Sequence, residues 1–254
     1  MTSDHALAGQ VAVVTGASAG IGAATCRALA AAGAIVLAVA RDTSRLAAVV
    51  QACSTHAHAP AARSLVADVR SAAAAAAIAD AALDIWGRID ILVCCAGILT
   101  AAGGGPAPVA SLPVAHWDEV IATNLRGTYL ANRAVLPTMI AQGRGQIVNV
   151  ASVAGLAGHA YESAYCASKA AVIGMTEALA AEAAPHGVRV QALVPGAVDT
   201  SIWDQAGLIP RPRHMLGPER VAAAILGLVR LPDSATLGTA LMAPAGAPEQ
   251  ARAR

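Results

Sequence analysis

Tyr165 and Lys169 stand four residues apart in the stretch YCASK, and Ser152 lies thirteen residues before the tyrosine. On a helix, residues at i and i+4 share one face, so this spacing brings a lysine ammonium beside a phenol. A phenol titrates near pH ~10 in water, and a neighbouring cation favours its ionised form and lowers that value. A tyrosine so placed could give or take a proton near neutral pH, the requirement of general acid-base catalysis. Ser152 could then hold a substrate oxygen by hydrogen bonding. A solvated lysine one turn from a half-buried tyrosine has the same spacing, so the elements that would position the pair must decide between the two readings.

The N-terminal segment supplies a second signal. Gln10 to Val14 is an apolar run of strand length, and Thr15-Gly16-Ala17-Ser18-Ala19-Gly20-Ile21-Gly22 follows at once. An alanine-rich helical stretch then runs to Ala32 and stops at Gly33. Strand, glycine-rich turn and helix form the context of a dinucleotide fingerprint, although the spacing is G-x-x-x-G-x-G. Glycines let the backbone approach a pyrophosphate, and the helix N-terminus offers unpaired N–H groups to that anion. An ordinary glycine turn between strand and helix fits this segment equally well on its own.

Taken together, these residues resemble the short-chain dehydrogenase/reductase family from about residue 8 to 243. TGASAGIG is similar to the family's cofactor-binding turn. Asp68-Val69 resembles the acidic pair that holds the adenine, and Ala96-Gly97 the end of its N-N-A-G motif. Asn124, Ser152, Tyr165 and Lys169 match the catalytic tetrad. Pro195-Gly196, with Val198 and Thr200 after it, resembles the segment that cradles the nicotinamide. The resemblance implies cofactor contacts at Gly16, Ser18, Ala19, Gly20, Ile21, Gly22, Arg41, Asp68, Val69, Ala96, Gly97, Tyr165, Lys169, Pro195, Gly196, Val198 and Thr200. It also implies hydride transfer from the pro-S face and a homo-oligomer, a tetramer or possibly a dimer.

Periodicity agrees with one domain of alternating strands and helices. Strands are expected at 10–14, 35–40, 63–67, 89–94, 145–151, 188–194 and 238–243, with helices near 20–32, 43–53, 71–86, 116–142, 162–184 and 218–230. The near-continuous apolar strands suit a parallel sheet buried on both faces. The expected fold class is therefore α/β: a doubly wound Rossmann fold with a seven-stranded parallel sheet flanked by helices on both faces. The expected organisation is a single dinucleotide-binding and catalytic domain over 1–254. Its core is 7–243, its substrate lid 200–216 and its flexible tail 245–254.

Composition bounds the partners. Hydrophobic residues make up 56% of the 254 and charged residues 13%, enough for a large core. A net charge of +1 argues against a nucleic-acid or anionic-membrane surface. Alanine-dominated apolar runs such as 72–79 are poor membrane spans. The start, MTSDHALAG, has no basic n-region, and the five cysteines are odd in number and unpatterned. A reduced, cytoplasmic protein is the expectation. No metal site is expected; His56 and His58 alone have ligand-like spacing, in a polar loop.

The second strand ends Leu37-Ala38-Val39-Ala40-Arg41-Asp42. An acidic residue at that strand end would bind the ribose hydroxyls and select NAD. Ala40 stands there, and Arg41 after it suits a 2′-phosphate, with Ser18 adding a hydroxyl. NADP(H) is therefore favoured over NAD(H), with Asp42 as the rival ribose ligand. The implied reaction interconverts a ketone or aldehyde and an alcohol. Tyr165 would protonate the oxygen, Ser152 hydrogen-bond it, Lys169 lower the tyrosine pKa and hold the nicotinamide ribose, and Asn124 anchor a water in a proton relay. Leu156, His159, Ala160, Tyr161 and Trp203, with Ile209 and Met215 in the lid, would line a hydrophobic substrate pocket.

Three features depart from the family pattern. Cys94-Cys95 replaces Asn-Asn, Gln191 stands where asparagine is frequent, and the C-terminus lacks the common Gly-Gly turn. The competing readings are a non-catalytic dinucleotide sensor or scaffold, an NAD-preferring enzyme of the same fold, and an epimerase or dehydratase.

Overall fold

The computed structural model describes residues 6–54, 62–207 and 209–245. Seven parallel strands form one sheet: β1 (Val11–Thr15), β2 (Ile35–Ala40), β3 (Arg63–Val66), β4 (Ile91–Cys94), β5 (Gly145–Val150), β6 (Val188–Pro195) and β7 (Thr239–Met242). Their spatial order is β3-β2-β1-β4-β5-β6-β7. The order reverses between β1 and β4, so the chain leaves these two strands in opposite directions. That switch point opens a crevice beyond their carboxyl ends.

Among the described residues, seven α-helices connect the strands: α1 (Gly20–Ala31), α2 (Thr43–Cys53), α3 (Ala72–Trp86), α4 (Val114–Ile121), α5 (Gly127–Gln142), α6 (Ser163–Ala183) and α7 (Pro218–Val229). The two faces of the sheet bury separate apolar sets, divided by the two-residue strand period. Ala12 and Val14 of β1 join Val36 and Ala38 of β2 against Leu29 of α1 and Ile225 of α7. Val11 and Val13 join Leu37 and Val39 against Ile78 of α3 and Val135 and Met139 of α5. Each of the valine, leucine, isoleucine and methionine side chains among these, fully removed from water, contributes about 1.5–3 kcal/mol.

Capping marks where helices start and stop. Asp42 accepts a hydrogen bond from the Arg45 amide at 2.9 Å, and Ser71 from the Ala74 amide at 3.3 Å. Gly87 and Gly143 end α3 and α5 in the left-handed conformation. In contrast, α1 follows Ala19 with no side-chain cap and no acid in its first turn. Its leading N–H groups therefore lack a side-chain acceptor and face the crevice.

Two expectations are corrected. The helix expected over 116–142 is two helices joined by a π-helical turn, Ala122–Arg126, that contains Asn124. An extra residue per turn widens the helix locally, a feature that recurs at functional sites. β3 is an edge strand whose burial is largely lost, with Arg63, Ser64 and Val66 exposed, so the expectation of strands covered on both faces fails there. The expected His56/His58 loop lies outside the described residues, as does the expected tail apart from Ala245. No described helix is long and apolar enough to cross a membrane.

Candidate active site

The turn after β1 is built around close backbone contact. Gly16 has φ +67°, and a Cβ there would lie 2.6 Å from the Ala96 amide nitrogen. A Cβ on Gly22 would overlap the carbonyl oxygen of Gly16. Glycine at these two positions lets the β1 and β4 loops touch while the start of α1 stays bare. The resulting groove, about 670 Å³, is lined by Gly16, Ser18, Ala19, Gly20, Ile21, Gly22, Arg41, Asp68, Val69, Ala96, Gly97 and Thr200. This cradle and the uncapped helix start fit a dinucleotide: backbone N–H groups for its pyrophosphate, Arg41 and Ser18 at one end, and Thr200 over the turn.

Arg41 is exposed, with no ion pair to a carboxylate among the described residues. Asp42, its rival, is engaged in capping α2 and lies 3.4 Å from Arg45. Asp68 is bound by Arg70 at 2.7 Å, and Arg70 also reaches Glu119 at 3.3 Å. The hydrogen bonds from Arg70 hold the Asp68 carboxyl below its ordinary value, with Arg41 adding a smaller effect of the same sign.

A second cavity, about 1060 Å³, adjoins the groove. Ser152, just beyond β5, and Tyr165 and Lys169, on the first two turns of α6, face it together with Pro195, Gly196 and Val198. Ser152 has extended backbone and its hydroxyl accepts from the Ala154 amide at 3.2 Å. Ser152 lies close enough to the Tyr165 phenol to favour its ionised form. The Lys169 ammonium sits 5.7 Å from the Tyr165 ring centre and donates to the Val150 carbonyl at 2.9 Å.

Electrostatics correct one expectation. Burial pushes the Tyr165 phenol up to about 12, against the downward pull of Ser152, and Glu162 and Cys166 push the same way as burial. Burial also brings Lys169 down to about 8. Desolvation disfavours both charged forms and here outweighs the lysine's attraction for phenolate.

Asn124 is buried and does not face either cavity. Its side chain accepts from the Ile98 amide at 2.8 Å and donates to the Ile98 carbonyl at 2.9 Å and to Ser168 Oγ at 3.0 Å. The Ser168 hydroxyl donates to the Tyr165 carbonyl at 2.7 Å. Asn124 thus clamps the loop after β4 to the helix that carries Tyr165. Gly97 runs against both side chains: a Cβ there would make ordinary van der Waals contact with Asn124 Oδ1 at 3.4 Å and Lys169 Nζ at 3.5 Å.

Of the expected substrate contacts, His159, Ala160, Tyr161, Trp203 and Ile209 line the larger cavity. Leu156 does not: it is 46% exposed, on the far side of the turn Val153–Gly155. Met215 is not on the cavity wall either; the chain there pairs Val198 with Leu216. Trp203 is oriented by its indole N–H, which donates to the Val198 carbonyl at 2.9 Å.

Several contributors escaped sequence reasoning. Gln205 accepts from the amides of Leu99 at 2.9 Å and Thr100 at 3.3 Å, tying the lid to the β4 loop. Asn132 and Asn149 exchange hydrogen bonds at 2.9 and 3.2 Å, Asn132 reaches Cys94 Sγ at 3.5 Å, and Asn149 donates to Thr176 at 3.1 Å. This buried chain spans β4, α5, β5 and α6, so the hydrogen bonding displaced by Cys94 is rerouted. Burial raises the Cys94 and Cys95 thiols, Cys95 to about 12, which keeps them protonated and unreactive. Gln191 accepts from the Leu237 amide at 3.2 Å, while its Nε2 is buried without a partner among the described residues. Asn132 and Asn149 were legible only as polar residues inside apolar segments, whereas Gln191 had stood out as a departure from the family pattern.

The short chain dehydrogenase family model matches residues 10–208. The chain belongs to the short-chain dehydrogenase/reductase family and is an oxidoreductase of that family. It is 46% identical over 193 residues to a Streptomyces virginiae protein described as a monensin polyketide synthase putative ketoacyl reductase, covering 75% of this chain and 71% of that one. It is 38% identical over 223 residues to the NAD(+)-dependent 2-dehydro-3-deoxy-L-rhamnonate dehydrogenase of a Sphingomonas species, covering 87% and 84%. Among solved structures, a metagenomic short-chain oxidoreductase in complex with NADP superposes with a TM-score of 0.81 at 37% identity, over 94% of this chain and 98% of that one.

Proposed function

We propose that the protein interconverts a ketone or aldehyde and its alcohol, using NADP(H), with Tyr165 as the general acid and base. The observation that carries this reading is the convergence of Ser152, Tyr165 and Lys169 on one cavity that adjoins the glycine-cradled groove. When bound, the nicotinamide gives or takes the hydride at the carbonyl carbon.

In reduction, Tyr165 gives its phenolic proton to the carbonyl oxygen while Ser152 donates a hydrogen bond to the same oxygen. The raised phenol pKa keeps that proton in place until the oxygen becomes basic. Lys169, lowered to about 8, changes charge readily near neutral pH and resupplies the proton through its ammonium. Asn124 holds the β4 loop and α6 at a fixed distance, which supports the placement of Lys169.

NADP(H) preference rests on Arg41. Asp42, the alternative ribose ligand, is committed to its helix cap. The relatives differ in this respect, one named for NAD(+) and one structure holding NADP, so the residue at the end of β2 is the discriminating feature. The reading treats the chain as one dinucleotide-binding and catalytic unit with a lid over 200–216. It also includes a homo-oligomer joined through the exposed small-residue stripe of α6 at Ala167, Ala170, Gly174 and Ala178.

The test is nicotinamide absorbance loss against a panel of ketones, aldehydes and diketones, with both cofactors and a Tyr165→Phe control. Consumption that prefers NADPH and vanishes in the control supports the reading. Cofactor binding with no turnover across the panel would favour a dinucleotide sensor instead.

A further inference from the structure

The catalytic cavity has mostly apolar walls, but its lid end is charged in one sense. Besides Lys169, the charge-bearing side chains on its walls are His159, Glu162, Arg213 and His214, with Glu162 close enough to Tyr165 to act on its titration. Glu162 is the sole carboxylate among the residues lining the cavity. It is 8% exposed and already bound, with His159 Nδ1 at 3.2 Å from its oxygen. That pairing cancels the carboxylate's charge whenever the imidazole is protonated.

Arg213 is left without a counter-charge. Its neighbour in the same loop, Arg211, is fixed outside by Asp204 at 2.6 Å and Asp199 at 3.5 Å. Arg213 has no hydrogen bond or ion pair to any described residue, although it lines the cavity. Pro210 and Pro212 stiffen the backbone that presents it, which lowers the entropy cost of holding the guanidinium in place. Arg213 is solvent-exposed where it lines the cavity, and a guanidinium there can meet a planar oxyanion through paired, charge-assisted hydrogen bonds.

Resting on the hydride-transfer reading above, we infer that the substrate is an oxo acid or the corresponding hydroxy acid, with its carboxylate held by Arg213 at the lid end of the cavity while its carbonyl meets Ser152 and Tyr165. A carboxylate fits better than a phosphate. One guanidinium with a nearby imidazole suits a monoanion, whereas bound phosphates are usually met by a helix N-terminus or a glycine-rich turn. In this chain those features belong to the neighbouring groove. His214, next to Arg213 in the sequence, also lines the cavity. The apolar wall formed by Trp203, Ile209 and Val153 would cover the carbon chain between the two ends.

The experiment compares oxo acids of increasing chain length with their methyl esters, using the full chain with saturating NADPH, in wild type and Arg213→Gln. A matched phosphorylated and unphosphorylated ketone pair is included. The expected result is an acid preferred over its ester by about 10- to 100-fold in kcat/KM, the range of one charge-assisted contact. In Arg213→Gln that preference disappears through a higher KM, while ester turnover and the KM for NADPH are unchanged.

Equal or better use of esters by the wild type would overturn the inference. So would equal losses for acid and ester in the variant, a raised KM for NADPH, which would place Arg213 on the cofactor, or a preference confined to the phosphorylated ketone. Thermal stabilisation by the same oxo acids in the presence of NADP+ provides a readout independent of turnover. Stabilisation of the wild type but not of Arg213→Gln, without reduction of any compound, would uphold the anion site and refute the hydride-transfer reading. Reduction of neutral ketones alone, with no stabilisation by acids, would do the reverse.

Discussion

Lys169 lies over the Tyr165 ring, its ammonium 5.7 Å from the ring centre, yet its hydrogen bond goes to the Val150 carbonyl at 2.9 Å. The lysine is buried, and its pKa of about 8 lies below its ordinary 10.5. Between those two values the unfolded chain binds more protons at this residue than the folded one, so this residue's contribution to stability rises with pH across that interval. Lys169→Met removes the effect. Denaturant unfolding without cofactor should therefore show the wild-type minus variant difference increasing from about pH 8 to 10.5 and flat below pH 8. A difference independent of pH would mean that the ammonium is solvated.

Ser152 opposes the effect of burial on Tyr165, since its nearness lowers the phenol pKa. Alcohol oxidation requires the deprotonated tyrosine, so kcat/KM in that direction should climb with pH toward a plateau. Ser152→Ala should move the climb to higher pH and lower the plateau by about 100-fold, the effect of losing one donor to the reacting oxygen. An unshifted profile would separate the serine from the tyrosine's titration.

At the other end of the groove, Arg41 is exposed and without an ion pair among the described residues, while Asp42 caps α2. Replacing Arg41 by Asp should weaken NADPH binding by about 10- to 100-fold, the range of a bidentate charge-assisted contact to phosphate. NADH binding should change little. Equilibrium titration of both cofactors checks this, and equal losses would move the 2′-phosphate contact elsewhere.

Asn124 uses its whole amide on Ile98 and Ser168. Asn124→Ala strands the Ile98 peptide and the Ser168 hydroxyl in a buried region, at a cost of about 2–4 kcal/mol for several unmet groups. Chemical denaturation should show that loss, and activity should fall as well, because the loop after β4 and α6 are no longer held together. Full stability with lost activity would instead point to a direct part in proton transfer.

The fold was legible where local pattern and tertiary setting agree. β2 is apolar throughout, β1 and β6 are mostly so, and all three lie within the sheet, while α2 begins at a capping aspartate. The glycine turn could be read because Gly16 and Gly22 answer backbone-to-backbone contacts that no other residue satisfies. The break at Asn124 was not legible, since the partner of the Asn124 side chain in the π-turn is Ile98, 26 residues away. β3 misled because an edge position is set by topology, not by its own residues. At the site, spacing found Ser152, Tyr165 and Lys169, but the direction of the tyrosine's titration depends on burial, which spacing does not encode. Leu156 was misplaced because the turn after Ser152 points it outward. Arg213 went unnoticed because the path of the lid loop decides which of its two arginines faces the cavity.

The central claim is hydride transfer to a carbonyl with Tyr165 supplying the proton. Its most direct test is mass spectrometry of the alcohol formed from a carbonyl that the protein reduces, using NADPH deuterated at both C4 positions. The account predicts one deuterium on the carbinol carbon in the wild-type product and no product above background with Tyr165→Phe. A product without deuterium, or one formed undiminished by Tyr165→Phe, would contradict it.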